Sequence, residues 1–578
     1  MRCRSKEKHE NLDLESDGLL DEMTKIHCLA YWDTETETLH QFYPDQIDEA
    51  INALSSGVIG GHNVIGFDIL AIQKLYPDFK PDKVIDTLVL SRLLFPNIKD
   101  KDFVSRHENM SPKLYGSHSL KAWGFRIGAY KDDYDKGFEE FSQEMMDYML
   151  QDVRVTAKLY KHCMEQEPSE EAVQLEHEIA QVCADMEQTG FVFDTTAAAQ
   201  LYAELSAKRN AIKKQMEDVF EPTVISLKTK TKLVPFNPGS RLQIGDRLAS
   251  KYGWKPKEFT PAGQAKIDET ILGELDYPEA KLLAEYFMLE KRIAMLAEGN
   301  QGYLKLVNSN NHIRGRYIPN GAVSGRATHF APNIAQVPSM RLPYGHEIRS
   351  LFTVPFGWSL VGCDLSGLEL RCLAHFMHNW DAGDYAAEVL NGDIHTKNQK
   401  AAGLPDRDAA KRFIYSLIYG AGDQKLGEVI GKGRNEGRQI REKFFAAIPA
   451  IKQLRSAVET AVETRKYLFG LDKRKLHARS SHSAVNLLLQ SAGALIAKRW
   501  LVLARQNLQQ SGFEHGWDKD YVFCAWVHDE VQVACRKEIA EDVGNIIRGS
   551  AEEAGRSFNF RCRIDAEFSV GSNWATTH

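Results

Sequence analysis

The sequence predicts an α+β protein of several domains, and three stretches carry that prediction. Trp358-Ser-Leu-Val-Gly-Cys reads as a buried strand that ends at Asp364, just before a small-residue break at Ser366-Gly367. Two alternating apolar runs, Tyr521–Val527 and Val531–Cys535, flank Val527-His-Asp529-Glu530, a hairpin pattern with acids at the turn. Between them, Arg407, Lys411, Tyr415 and Tyr419 recur every four residues and form one helical stripe, which Gly420 and Gly422 bring to an end. At 578 residues the chain exceeds what one core can organise, so three or four domains are expected.

Composition excludes little. The balance of residue types is that of an ordinary globular protein. No apolar run reads as long enough to cross a membrane, and Met1–Glu10 is polar rather than a signal peptide. Nine cysteines occur without a Cys-x-x-Cys pair, the usage of reduced, mostly buried thiols in a cytoplasmic protein. The net charge of -7 neither announces nucleic acid nor excludes it, because clefts respond to local charge.

Taken in order, the chain first offers Leu12-Asp13-Leu14-Glu15, whose two acids face one side if the segment is a strand. Gly60–Asp68 reads as strand, loop and a helix with Asp68 in its first turn. Phe141–Cys163 reads as a helix with Tyr148 and Asp152 on one face. Asp13, Glu15, Asp68 and Asp152 with a tyrosine suit a two-metal nuclease in which Tyr148 orients the attacking water. The residues before Asp13 are polar for a central strand, and Asp33-Thr-Glu35 follows a better one. Starting there leaves too little chain before Asp68, so that pair is read as the turn of a hairpin closed by Thr38–Tyr43.

Glu165–Glu171 reads as a charged linker, Leu175–Gly190 as an amphipathic helix stopped by glycine, and Thr195–Phe220 as a long helix. Lys208, Arg209, Lys213, Lys214 and the Lys228–Lys232 run suit a phosphate backbone, but charge alone favours a solvated helix face. Helical patterns continue through Glu279–Gly299. Asn320–His329 is a small-residue loop around Arg326. The stripe beginning at Arg407 fits a triphosphate along its first turns with sugar and base against a tyrosine, and His395 adds a further phosphate contact. Asn486 and Gln490, four apart on one helix, suit acceptors found in the minor groove of every base pair.

These motifs resemble those of family A DNA polymerases, the DNA polymerase I type. The matching stretches are Asp364-Leu-Ser-Gly-Leu-Glu-Leu-Arg, the Arg407/Lys411/Tyr415 helix, and Val527-His-Asp-Glu. Gly392-Asp-Ile-His-Thr-Lys-Asn-Gln, Leu489-Gln-Ser-Ala-Gly-Ala-Leu-Ile, Asp86-Thr-Leu-Val-Leu-Ser-Arg and Gly116-Ser-His-Ser-Leu-Lys-Ala-Trp-Gly are similar to the replicative polymerases of short-tailed bacteriophages.

The resemblance implies a ribonuclease H-like 3′–5′ exonuclease domain in front of a right-hand polymerase. The divisions are residues 1–165 exonuclease, 166–345 connector and thumb, 346–390 and 481–578 palm, and 391–480 fingers. It implies two Mg2+ ions at each acidic site, with Mn2+ as a substitute. Asp364 and Asp529 are the polymerase ligands, with Glu530 beside them. Arg407, Lys411 and His395 contact phosphates. Glu369 acts with Tyr415 against a 2′-hydroxyl, and Tyr415 lies beside the 3′ carbon of the incoming sugar. Arg326, Asn486, Gln490 and His528 touch the primer–template.

The implied partners are deoxynucleoside triphosphates, primer–template DNA, a phage helicase-primase and a single-strand-binding protein, in the cytoplasm of an infected bacterium. Known phage relatives carry a thumb insertion that grips host thioredoxin. Only a short Lys-Thr-rich segment separates Phe220 from Pro235 here, so thioredoxin is not expected as a partner. A single-subunit RNA polymerase shares the Arg/Lys/Tyr helix, but Glu369 and the nuclease acids argue against it. Complete acid sets argue against an inert DNA-binding subunit.

Overall fold

A computed structural model describes residues 9–16, 20–55, 57–130, 134–226 and 231–578. Met1–Lys8 and Lys228–Lys230 of the basic run lie outside the described residues, as does the Glu15 side chain. Contacts divide the chain into two compact units. One comprises residues 1–188, 317–328 and 361–569; the other comprises 189–316, 329–360 and 570–578.

The first unit begins with a five-stranded sheet in the order Thr38–Phe42, Ile26–Asp33, His9–Ser16, Val58–Gly61, Lys83–Asp86. His9–Ser16 is central despite its polar start. It runs antiparallel to Ile26–Asp33 and parallel to Val58–Gly61, with His9, Glu10 and Asn11 opposite Val58, Ile59 and Gly60. Leu12 and Leu14 are buried on either side of Asp13, so the alternation that defines a strand is present in its second half. Ile26–Asp33 reads as continuously apolar because both its faces are covered. Cys28 and Ala30 meet Met145, Met146 and Met149 of the Gln143–Met164 helix, while Leu29 and Tyr31 join a core with Ile47, Ile51 and Ile72. The Asp33–Thr38 hairpin forms as the sequence indicates. Asp33 Oδ1 accepts from the amides of Glu35 and Thr36 at 2.8 and 3.2 Å, fixing that turn.

The same unit holds a four-stranded sheet in the order Tyr521–Val527, Glu530–Arg536, Trp358–Leu365, Ala566–Gly571. Against it pack the Leu368–Asp381 and Ser481–Gln510 helices, the latter 30 residues long. This last helix corrects one expectation: by length and composition alone it is long and apolar enough to cross a membrane. Its most apolar window is 83% buried, however, and Leu489, Leu495, Ile496, Trp500 and Leu501 form the centre of the unit's core. The eight described cysteines are all buried, and none is in a disulfide among the described residues.

In the second unit, the Thr195–Val219 and Pro278–Ile293 helices pack together. A three-stranded sheet sets Phe191–Phe193 between Phe352–Thr353 and His312–Ile313. Lys208 and Lys213 pair with Glu204 and Glu217 on their own helix, and Arg209 bridges to Glu290 and Glu298. Those bases therefore form a paired helix face, and the pairing holds Arg209 to its neighbours.

Candidate active sites

The first site grows from a shared backbone. The Leu365 amide donates to the Asp529 carbonyl at 2.9 Å, so the strand ending in Asp364 is joined directly to the hairpin turn that carries Asp529. That turn is short: Val527 faces Glu530, leaving His528 and Asp529 as its two central residues, with His528 at φ +59. Trp526 Nε1 braces it by donating to the His528 carbonyl at 3.0 Å. Asp364 and Glu530 each present a carboxylate oxygen within 4.8 Å of the other. Glu530 is buried, and Gln532 donates to it at 2.8 Å.

Burial and the neighbouring Glu369 raise the Asp529 carboxyl to about 6. A carboxylate cluster under such mutual repulsion, built from oxygen donors, fits a hard divalent cation. His528 is held below its ordinary value by desolvation and by Arg326.

Asp364 and Glu369 are separated by the Ser366-Gly367 turn. Gly367 adopts the left-handed conformation at φ +57, and the Ser366 amide donates to the Asp565 carbonyl. Arg371, buried, donates Nε to the Ser366 carbonyl at 2.5 Å and Nη1 to the Arg563 carbonyl. Sequence reading gave Arg371 no task; its place in the motif, two residues after Glu369, was the available signal.

The Arg407–Ile418 helix turns Ala410, Phe413, Ile414 and Ile418 to the core and leaves Arg407, Lys411 and Tyr419 exposed, with Tyr415 half-buried on the same stripe. Asp406 caps it through the Ala409 amide at 2.7 Å. It stops where Gly420 takes φ +79. Asp393 holds the Arg407 guanidinium at 3.0 Å, and its carboxyl lies well below the ordinary range because of that hydrogen bond. His395 lies near this cation, its ring centroid 6.4 Å from that of Tyr415.

The hydroxyl donated to Glu369 is that of Tyr419, at 3.1 Å, one turn beyond Tyr415. Tyr415 is pushed up to about 12 by burial and by Glu369, so its phenol remains protonated. Arg326 Nη2 also approaches Glu369, at 3.8 Å. Arg326, Glu369, Tyr419, His528 and Asp529 line a common cleft of about 240 Å3. Gln490 Nε2 donates to Asn486 Oδ1 at 2.8 Å, which orients the two amides on one helix face.

The second site lies in the five-stranded sheet. Asp13 is half-buried on the central strand, and its Oδ1 accepts from the Leu14 amide at 3.0 Å. The Gln143–Met164 helix packs on that strand and carries buried Asp152 and half-buried Tyr148. Tyr148 rests against Tyr134, ring centroids 5.5 Å apart. Asp68 is the first residue of the Asp68–Leu75 helix and is buried. At Gly61, the end of the preceding strand, a Cβ would stand 2.7 Å from Val64 Cβ in the loop and 3.1 Å from the Leu12 carbonyl, so the chain is closely approached there. Asp13 and Asp152 thus lie on two elements that pack together.

Residues 198–576 match DNA polymerase family A. Over 98% of this chain and 99% of the relative, the sequence is 37% identical to the DNA-directed DNA polymerase of Enterobacteria phage T3. The same figures hold for the DNA-directed DNA polymerase of Escherichia phage T7. The fold superposes on the polymerase domain of Pol1 from M. smegmatis, solved with DNA primer-template and dNTP. The TM-score is 0.78 and the identity 17%, covering 99% of this chain and 97% of that one. The chain belongs to DNA polymerase family A, as a DNA-directed DNA polymerase of the phage type.

Proposed function

We propose that this polymerase extends primers by two-metal nucleotidyl transfer and proofreads with a 3′–5′ exonuclease. The observation that supports the first activity best is the hydrogen bond between Leu365 and Asp529, which sets two acid-bearing strand ends side by side beneath the Arg407–Tyr419 stripe. Asp364 and Asp529, with Glu530 adjacent, are the groups to hold Mg2+ or Mn2+. Asp13, Glu15, Asp68 and Asp152 are the corresponding set for the exonuclease. Bound ions would lower the pKa of the attacking hydroxyl or water and neutralise charge on the leaving group.

The protein's own side chains do the rest. Arg407, Lys411 and His395 receive the triphosphate. Glu369, held by Tyr419, crowds the sugar together with Tyr415 and leaves no room for a 2′-hydroxyl. Arg326, His528, Asn486 and Gln490 lie against the primer–template near the minor groove. At the exonuclease site Tyr148 orients the water.

The working divisions are residues 1–165 for the exonuclease, 166–345 for connector and thumb, 346–390 and 481–578 for the palm, and 391–480 for the fingers. The phage relatives support a place in phage replication inside an infected bacterium, beside a helicase-primase and a single-strand-binding protein. We do not expect thioredoxin among the partners. The T3 alignment runs over 701 positions, more than the 578 residues of this chain, so that relative carries segments absent here. Between Phe220 and Pro235 the described residues form only two short paired strands, Thr223–Ser226 and Thr231–Val234.

Primer extension with deoxy- or ribonucleotides, with magnesium present or chelated, tests the proposal. Extension confined to deoxynucleotides and lost on chelation is expected. Extension with ribonucleotides alone, or binding without reaction, contradicts it.

A further inference from the structure

Four charged side chains are sealed inside the first unit. Glu176, on the Glu170–Thr189 helix, accepts from Lys498 of the Ser481–Gln510 helix and from Arg474 Nη2 at 2.6 Å. Asp472 takes the remaining fork of Arg474, with Nε at 2.9 Å and Nη2 at 2.6 Å. Glu176 and Lys498 are fully enclosed, and Arg474 and Asp472 are 4% and 1% exposed. Ser169 Oγ ties the arrangement down by donating to the Asp472 carbonyl at 2.6 Å. A buried quartet of this kind adds little net stability, because desolvating the ions offsets their attraction. What it supplies is a guanidinium plane that has no freedom to turn.

That plane has a free edge. Arg474 Nη1 is buried and makes no hydrogen bond. It abuts the turn before Arg326: a Cβ on Gly325 would stand 3.0 Å from Nη1 and 3.5 Å from Asn320 Oδ1. Gly325 sits at φ +83, where other residues are strained, and its amide closes the turn on the Ala322 carbonyl at 2.8 Å. The Arg326 carbonyl accepts from the Gly321 and Ala322 amides at 3.2 and 3.1 Å. The Arg326 side chain leaves this closed loop directly into the cleft beside Glu369 and Asp529.

We infer that Arg474 is a positioning residue for Arg326: the buried quartet presses its guanidinium against Gly325 and so sets where Arg326 meets the primer terminus. The inference rests on the proposed contact of Arg326 with primer–template. It assigns a polymerase task to Arg474, outside the cleft, in the turn between Leu468–Phe469 and Lys475–Leu476.

A double-mutant cycle tests it. Arg474→Lys keeps the quartet's charge but loses the planar fork. Catalytic efficiency on a matched primer is measured for the full-length enzyme, Arg474→Lys, Arg326→Ala and the double variant, with degradation of single-stranded DNA as the control for folding. Arg474→Lys is expected to cost about tenfold alone and less than about twofold when Arg326 is already alanine, since coupled residues are non-additive. Single-strand degradation should be unchanged. Equal losses in both backgrounds would overturn the inference while leaving the Arg326 contact standing. No effect of Arg326→Ala by itself would overturn both. Should Arg474→Lys fail to fold, Ser169→Ala, which loosens the anchor on the Asp472 carbonyl, takes its place in the same cycle, and the same two patterns decide.

Discussion

In the four-stranded sheet, one backbone hydrogen bond, from Leu365 to Asp529, ties the strand end after Asp364 to the turn that carries Asp529. In the five-stranded sheet, Asp13, Asp68 and Asp152 come from a strand and two helices. These elements are positioned by packing: Met145 and Met149, for example, seat the Asp152-bearing helix on the sheet. The difference teaches what each site tolerates. A site held by ladder hydrogen bonds is robust to side-chain repacking; one held by packing depends on every contact beneath it.

The comparison breaks first at the choice of nuclease acids. Replacing Asp13 and Glu15 together by alanine should lower single-strand degradation by at least about a hundredfold. Replacing Asp33 and Glu35 should leave it near the native rate, because Asp33 is engaged in its own turn. A nuclease assay with the opposite pattern would move the site to the hairpin.

The next effect is smaller and tests the helix over the nucleotide sugar. A dideoxynucleotide lacks the 3′-hydroxyl that bonds its own phosphate oxygen, and the Tyr415 hydroxyl can fill that place. An unmet polar group costs about 1–3 kcal/mol, so Tyr415→Phe should discriminate against dideoxynucleotides at least about tenfold more than the native enzyme. Competition assays on one template give both ratios. Equal ratios would mean that Tyr415 does not face the sugar.

Smaller again is a pH effect specific to the polymerase site. Burial and Glu369 raise Asp529 to about 6, so a proton competes with a metal ion below that pH. The magnesium concentration for half-maximal synthesis should rise roughly fourfold between pH 7.5 and 5.5, from the fraction of Asp529 left ionised. A requirement that stays flat would remove Asp529 from the metal set. The smallest expected change is none: host thioredoxin should not lengthen products, and marked lengthening would refute the reading of the Phe220–Pro235 segment.

How much of this was legible in the sequence follows the same division. Trp358–Leu365, the Tyr521–Arg536 hairpin and the Arg407 stripe were plain, because local periodicity and turn chemistry determine them. His9–Ser16 looked weak because half of it is polar, and its central place is set by neighbours on both sides. The Ser481–Gln510 helix was not recognised as long and apolar enough for a membrane, since residues such as Asn486, Gln490 and Lys498 interrupt the run; tertiary burial then accounts for the apolar excess. The Glu369–Tyr419 bond and the Arg474 quartet were invisible, because residues distant in sequence meet only in the folded chain.

Synthesis and degradation are proposed to use separate acid sets on separate sheets. Asp364→Ala and Asp529→Ala enzymes, assayed from one preparation for primer extension and for single-strand degradation, test it directly. The account predicts extension abolished and degradation near the native rate. Loss of both activities in a folded variant would contradict it.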